Sequence, residues 1–276
     1  MLGQDLSAYL CARNQVIPVG RQQMDVTDMG KASETIDREK PDLVIHAAAM
    51  TAVDECERQP ALAFEVNAGG TRNVAQACRE ASIPLLFIST DYVFDGRKPT
   101  PYMEDDLPNP LNVYGRCKLE GEKHVSELVS RFWIVRTSWL FGPLGKNFVR
   151  TILQKASHGE PLRIVNDQVG APTYTMDLAE KVDEIIQRGS SGIYHVTNQG
   201  YCSWYEFAVE IIRQVGLNGA KVTPIPTSSS GRPAARPLNS RLANSRLQAG
   251  GFDLLAPWEQ AVGRYLKREA MLGGSA

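Results

Sequence analysis

No stretch of this 276-residue chain stays apolar long enough to cross a bilayer. Runs such as Pro84 to Ile88 end after a handful of residues, against the ~20 that a spanning helix needs. The opening MLGQDLSAYL carries an acid and no basic flank, so it does not read as a signal peptide. An excess of one charge is also missing. Thirty Lys and Arg against 31 Asp and Glu leave a net charge of −1, which gives no field to hold nucleic acid or an anionic membrane and makes a small molecule the expected partner. The five cysteines, Cys11, Cys56, Cys78, Cys117 and Cys202, are odd in number, scattered and without a CxxC pair. That excludes a disulfide framework and points to reduced thiols in the cytoplasm. The four histidines, His46, His124, His158 and His195, form no HExxH or other ligand pair, so they read as isolated core or surface residues and no zinc is assigned.

What is present is an alternation. Val16 to Val19, Leu43 to His46, Leu85 to Ser89 and Trp133 to Arg136 read as strands, with amphipathic stretches between them, the clearest a helix from Pro60 to Ala81. Near-continuous apolar strands separated by helices predict an α/β fold, a doubly wound parallel sheet covered on both faces. After Gly142 the alternation loosens. The segment Pro224 to Pro237 is rich in Pro and Ser and is expected to be irregular, either a linker or a ligand-wrapping loop. Helical patterns resume at Trp204 to Val215 and Trp258 to Lys267.

Tyr114 and Lys118 have the YxxxK spacing, which on a helix sets an ammonium one turn from a phenol on the same face. A cation there would lower the phenol pKa and make it a better general acid. The spacing alone is equally that of an exposed helical pair. Its context is Ile88-Ser89-Thr90-Asp91-Tyr92, where an apolar strand ends in hydroxyl and carboxylate groups, and strand carboxyl ends open onto the ligand crevice of a doubly wound sheet. A second strand runs into Ala47-Ala48-Ala49-Met50-Thr51, small residues that fit either a flat ligand or tight helix packing.

These blocks, HAAAMTAVDECE (46 to 57), VNAGGTRNVA (66 to 75), STDYVFDG (89 to 96), PLNVYGRCKLEGE (110 to 122), RTSWLFG (136 to 142), NDQVGAPTY (166 to 174) and GIYHVTNQG (192 to 200), cover most of the chain. In that order they resemble the extended short-chain dehydrogenase/reductase family. The resemblance implies a Rossmann-like dinucleotide-binding domain over residues 1–140 and a smaller substrate-binding region over 141–276 that partly returns to the sheet. It implies reduction by NADPH of the C4 keto group of a dTDP-linked 4-keto-6-deoxy-L-sugar, giving dTDP-L-rhamnose. Tyr114 would donate the proton, Lys118 would orient the nicotinamide ribose, and Thr90 would hydrogen-bond the carbonyl. Asp91 and Trp139 would contact the sugar. Gly3, Arg21, Asp25, Val26, Ala48, Ala49, Met50 and Thr51, with Tyr114 and Lys118, would bind the cofactor. An arginine at position 21 suits a 2′-phosphate and so favours NADPH, with NADH the alternative. Tyr92 stands where related dehydratases carry a glutamate, which leaves simple carbonyl reduction. Cys117 replaces the Ser or Thr common beside the catalytic pair.

Two matters stay open at this level. The resemblance allows a homodimer and a divalent cation between carboxylates, but no spacing identifies the metal's ligands. A non-catalytic subunit resembling that of methionine adenosyltransferase is the alternative function. The family fold opens with a strand and a GxxGxxG loop, whereas Met1-Leu2-Gly3-Gln4-Asp5-Leu6 matches only the last glycine and the first helical turn behind it. The first strand and the glycine-rich loop, roughly ten residues, are therefore expected upstream of Met1, where their amides would hold a pyrophosphate.

Overall fold

Leu85 to Ile88 is apolar on both alternating faces, and in the structure, a computed structural model describing residues 1–217 and 219–273, Leu85–Thr90 forms an inner strand buried at every position. Strands β1 (Val44–His46), β2 (Leu85–Thr90), β3 (Phe132–Thr137) and β4 (Gly192–His195) make one parallel sheet in that order. Alternation along β2 sorts the two layers that cover the sheet. Leu85 and Phe87 face α2 (Met29–Glu39), α3 (Gly70–Glu80) and α4 (Val113–Leu128) through Ile36, Val74 and Val125. Leu86 and Ile88 face α1 (Leu2–Leu10) and α5 (Thr175–Arg188) through Leu6, Leu178 and Val182. The expected doubly wound parallel architecture is therefore present.

A second core lies after β3. Phe141, Tyr174, Phe207, Trp258 and Tyr265 meet in it, brought there by short strands and by α6 (Trp204–Val215) and α7 (Trp258–Gly273). The start of α6 is fixed by a reciprocal capping box between Ser203 and Glu206. The Pro/Ser-rich segment begins in a parallel strand, Val222–Ile225, and thereafter is irregular apart from one tight turn at Thr227–Ser229.

Two expected elements need correction. Val16 to Val19 is not a strand: the segment has no ladder, and Ile17 and Val19 are exposed. β1 bonds only β2 among the described residues, so no neighbouring backbone is there to pair with that segment. The space between Val16–Gly20 and β1 is instead a cavity of about 1360 Å³. The helix expected from Pro60 to Ala81 is interrupted. Pro60–Phe64 and α3 are joined by a π-helical turn, Glu65–Gly69. Such turns bulge the helix and re-aim a side chain, here Asn67.

Candidate active site

The chemistry gathers where β2 ends. Thr90 caps a tight turn, Asp91–Val93, its hydroxyl oxygen accepting from the Tyr92 amide at 3.2 Å. The same hydroxyl donates to Asp91 Oδ1 at 3.0 Å. α4 then lays Tyr114, Lys118 and Glu122 along one stripe, each one turn from the next. Asn112 caps the helix through the Gly115 amide at 2.8 Å, and Glu57 accepts from the Val113 amide at 3.0 Å. Gly115 is required by contact: a Cβ there would stand 2.1 Å from the Tyr92 carbonyl oxygen. Tyr114 thus sits against the turn, its ring edge-on to Tyr92 with centroids 6.1 Å apart.

Burial dominates the electrostatics. It pushes the Tyr114 phenol up, and the Asp91 charge pushes it further, while the neighbouring Thr90 hydroxyl works against both. The net direction is therefore the opposite of the lowering expected from Lys118, and it is set by burial and the Asp91 charge. Lys118 is itself 2% exposed, its Nζ lying 3.9 Å from the centre of the Phe87 ring. Burial drives it down to about 7, against the pull of Glu122. Asp91, 3% exposed, is pushed up to about 7 by burial, with Ser240 and Thr90 hydroxyls resisting. His46 bonds Thr71 and is pushed down to about 3 by burial, so it is neutral at working pH.

Below this stripe lies a buried ion pair that the motif reading did not single out. Arg136 on β3 donates to Glu122 at 2.9 and 2.7 Å, and Ser89 donates to the same carboxylate at 2.5 Å. Asn67 was also missed: it accepts from the Met50 amide at 2.7 Å and donates to the Met50 carbonyl at 3.0 Å, fixing the loop after β1 from both sides. Arg136, Glu122 and Asn67 all stand inside quoted motif blocks, but only the fold shows what they hold.

Gly3, Arg21, Asp25, Val26, Ala48, Ala49 and Met50 all border the large cavity, whereas Thr51 lies exposed outside it. Val26 is chiefly a core residue, pressed on Gly70. Arg21 pairs with Asp25 at 3.2 Å and keeps its side chain 81% exposed. The Thr27 amide and hydroxyl hold the Asp25 carboxyl below its usual range, with Arg21 assisting. The cavity group and the Tyr114 group meet at Met50, which shares an apolar cluster with Tyr114 and Cys117. The cavity also runs through core side chains of both layers, Leu6, Leu10, Ile36 and Val74, and along the unpaired edge of β1, so its volume is not that of a ligand pocket. Among the described residues no group of three His, Cys, Asp or Glu side chains comes together to hold a metal ion.

Trp139 follows β3 in a left-handed conformation, φ 47°, and stacks on Trp204 with ring centres 3.7 Å apart. Gly170 makes room for it, since a Cβ there would approach Trp139 to 2.6 Å and Ser240 to 2.8 Å. Across the site, Asp54 ties down the irregular segment. Arg232 and Arg236 each reach it at 3.0 Å, and the Ala234 amide donates to it at 3.3 Å. Partial burial raises the Asp54 carboxyl, but Arg236 and Arg232 hold it below its usual range.

The model of a family described as the RmlD substrate binding domain matches residues 1–271. The chain is 39% identical over 269 residues to a dTDP-4-dehydrorhamnose reductase from Streptomyces griseus, covering 95% of this chain and 88% of the relative. Among solved structures it resembles a dTDP-4-dehydrorhamnose reductase from Clostridium acetobutylicum, with TM-score 0.94, 41% identity, and 98% and 96% of the two chains covered. It also resembles the Bacillus anthracis dTDP-4-dehydrorhamnose reductase solved in complex with NADP, with TM-score 0.92, 38% identity, and 97% and 95% covered.

Proposed function

The chain belongs to the RmlD substrate binding domain family, and from that premise we propose that it is an NADPH-dependent oxidoreductase acting on a dTDP-linked 4-keto-6-deoxy-L-sugar. It reduces the C4 keto group to give dTDP-L-rhamnose. The observation that carries this reading is the convergence of Thr90, Tyr114 and Lys118 at the carboxyl end of an inner parallel strand, next to the loop after β1 through Met50. A non-catalytic subunit has no use for a buried acid so arranged.

In this reading residues 1–140 hold the cofactor and 141–276 the sugar nucleotide. Arg21 meets the 2′-phosphate, Asp25 and Val26 the adenine side, Gly3 and the first turn of α1 the pyrophosphate, and Ala48 to Thr51 the dinucleotide. NADPH supplies the hydride when bound. Thr90 donates a hydrogen bond to the C4 carbonyl oxygen, and Tyr114 gives that oxygen its proton as negative charge develops on it. Lys118 orients the nicotinamide ribose. Trp139 offers the sugar a ring already braced by Trp204. Asp91 takes part at the sugar end of the site. A homodimer and a cytoplasmic location complete the proposal; no helix among the described residues is long and apolar enough to cross a membrane.

The test is NADPH oxidation, followed by absorbance, with the dTDP-linked 4-keto-6-deoxy-L-sugar as substrate and product identified by chromatography. Turnover that yields dTDP-L-rhamnose supports the reading, and absence of turnover with cofactor and sugar nucleotide both bound would refute it.

A further inference from the structure

The dTDP-linked substrate of the proposed reaction, on which this inference rests, carries a diphosphate, and Thr90, Asp91, Tyr114 and Trp139 offer it no positive charge. The chain from Ile211 to Phe252 holds no Asp or Glu, yet it carries Arg213, Lys221, Arg232, Arg236, Arg241 and Arg246. Two of these converge on a single atom. Arg232 and Arg236 each reach Asp54 Oδ2 at 3.0 Å, and neither makes another ion pair among the described residues. One carboxylate therefore faces two guanidiniums, and one positive charge is left over. The Arg232 side chain is 59% exposed and that of Asp54 20%, so the cluster is open to solutes.

Its place in the fold is beside the reacting groups. The Asn112 side chain, which caps α4 two residues before Tyr114, donates to the Ala235 carbonyl at 2.7 Å. Pro237 packs closely on Gly96, just beyond the Asp91–Val93 turn, where a Cβ would meet it at 2.7 Å. Three residues further on, Ser240 lies against Gly170, where the Trp139 ring also packs. The segment thus runs from Asp54 past the start of α4 to the tryptophan proposed for the sugar. None of Asp54, Arg232 and Arg236 borders the cavity lined by Gly3, Arg21 and Ala48.

We propose that Arg232 and Arg236 clamp the diphosphate of the sugar nucleotide, and that Asp54 occupies them in the free protein and releases them when the nucleotide enters. A guanidinium fork matches two phosphate oxygens as well as it matches a carboxylate. The diphosphate carries more charge than Asp54, and it can bond the two arginines at separate oxygens instead of sharing one. Only side chains have to move: the Ala234 amide donates to Asp54 at 3.3 Å, and with the Asn112 bond it keeps the backbone in place. Asp54 is then an internal competitor, which keeps two cations ordered at the site and weakens the hold on the nucleotide.

Calorimetric titration of dTDP into the full chain tests this. Asp54→Asn removes the competing charge but keeps an oxygen for the Ala234 amide, and it should tighten dTDP binding by about two- to thirtyfold, the combined worth of two partly exposed ion pairs. Arg236→Gln should weaken binding about tenfold or more in the Asp54→Asn background. In the otherwise unaltered protein the loss should be smaller, because losing the phosphate contact is partly offset by losing the pairing with Asp54. Arg232→Gln should behave in the same way. NADPH carries a diphosphate of its own, and titrating it separates the two sources: loss of NADPH affinity in the arginine variants overturns the proposal. So do unchanged or weaker dTDP binding in Asp54→Asn, equal losses in the two backgrounds, unchanged dTDP binding in the arginine variants, and no dTDP binding by the unaltered protein. A measurement without variants is labelling by phenylglyoxal, with the modified arginines identified by mass spectrometry. Saturating dTDP should protect Arg232 from modification, and equal rates with and without dTDP overturn the proposal. If the protein binds dTDP in this way yet reduces no 4-keto sugar, the functional reading fails and the clamp stands.

Discussion

Replacing Glu122 by Gln removes one charge from the centre of the molecule and very little volume. Its side chain is 5% exposed and that of Arg136 is 2% exposed, joined by parallel bonds of 2.9 and 2.7 Å. After the change the guanidinium keeps one neutral bond, to the amide oxygen, and two weak alternatives, the Glu104 carbonyl and the His195 ring, both at 3.4 Å. That ring cannot compensate, since burial and Arg136 push His195 down to about 3. A buried charge that loses its partner typically costs about 3–5 kcal/mol. At about 2–4 °C per kcal/mol for a chain of this size, the melting temperature should fall by roughly 6 to 20 °C. Calorimetry at pH 7 measures it. Replacing both partners, Glu122→Leu with Arg136→Met, should recover most of the loss, because no charge is then left alone. The substitution also withdraws the charge that opposes the lowering of Lys118, so the alkaline limb of the rate profile should move to lower pH. Melting of Glu122→Gln within about 2 °C of the parent, or a double variant no better than the single, would refute the reasoning.

Tyr114→Phe should lower turnover by about 10² to 10⁴-fold with sugar-nucleotide binding retained, as steady-state kinetics and calorimetric titration would show; retention of a tenth of the turnover would remove Tyr114 from its role. NADPH should be preferred to NADH, and Arg21→Ala should narrow the gap by about tenfold or more in kcat/KM, since a charge-assisted phosphate contact contributes about 1.5–3 kcal/mol. Asp91 ionises in the fold at about 7 rather than 3.8, so the native state is penalised increasingly as pH rises between those values; Asp91→Asn should therefore raise the melting temperature more at pH 8 than at pH 5. Of the five thiols only Cys11 is exposed, and native labelling with an aromatic disulfide reagent should modify one cysteine rapidly, the other four reacting on unfolding.

The parts of this fold that were readable in the sequence are those whose local pattern agrees with their burial. Leu85 to Ser89 and Trp204 to Val215 announce themselves by near-continuous apolarity and by amphipathic periodicity, and the structure keeps both. Val16 to Val19 is apolar around Pro18, but a strand exists only through its neighbours, and none pairs with it among the described residues. The π turn at Glu65–Gly69 was invisible for a related reason: nothing in the helical periodicity marks where Asn67 must swing towards Met50. In the site, Tyr114, Lys118 and Thr90 were legible because their chemistry is rare in combination. Glu122 was not, since an acid four residues after a lysine usually means an exposed pair, and only the sheet brings Arg136 beneath it. The direction of the Tyr114 shift is not legible in the spacing, which reports charge and says nothing of burial.

The bond pattern between Asn67 and residue 50 has a consequence for how this surface can change. Asn67 grips only the main chain of Met50, through its amide and its carbonyl, so the loop's position does not depend on which side chain residue 50 carries. Apolar side chains of different shape can therefore stand at 50 within the cluster with Tyr114 and Cys117, reshaping the wall of the cavity, while the path of the chain stays put. The reverse exchange is closed, because no other side chain of that length offers an acceptor and a donor side by side. Libraries that vary position 50 and spare position 67 should stay folded, and those that do the opposite should not.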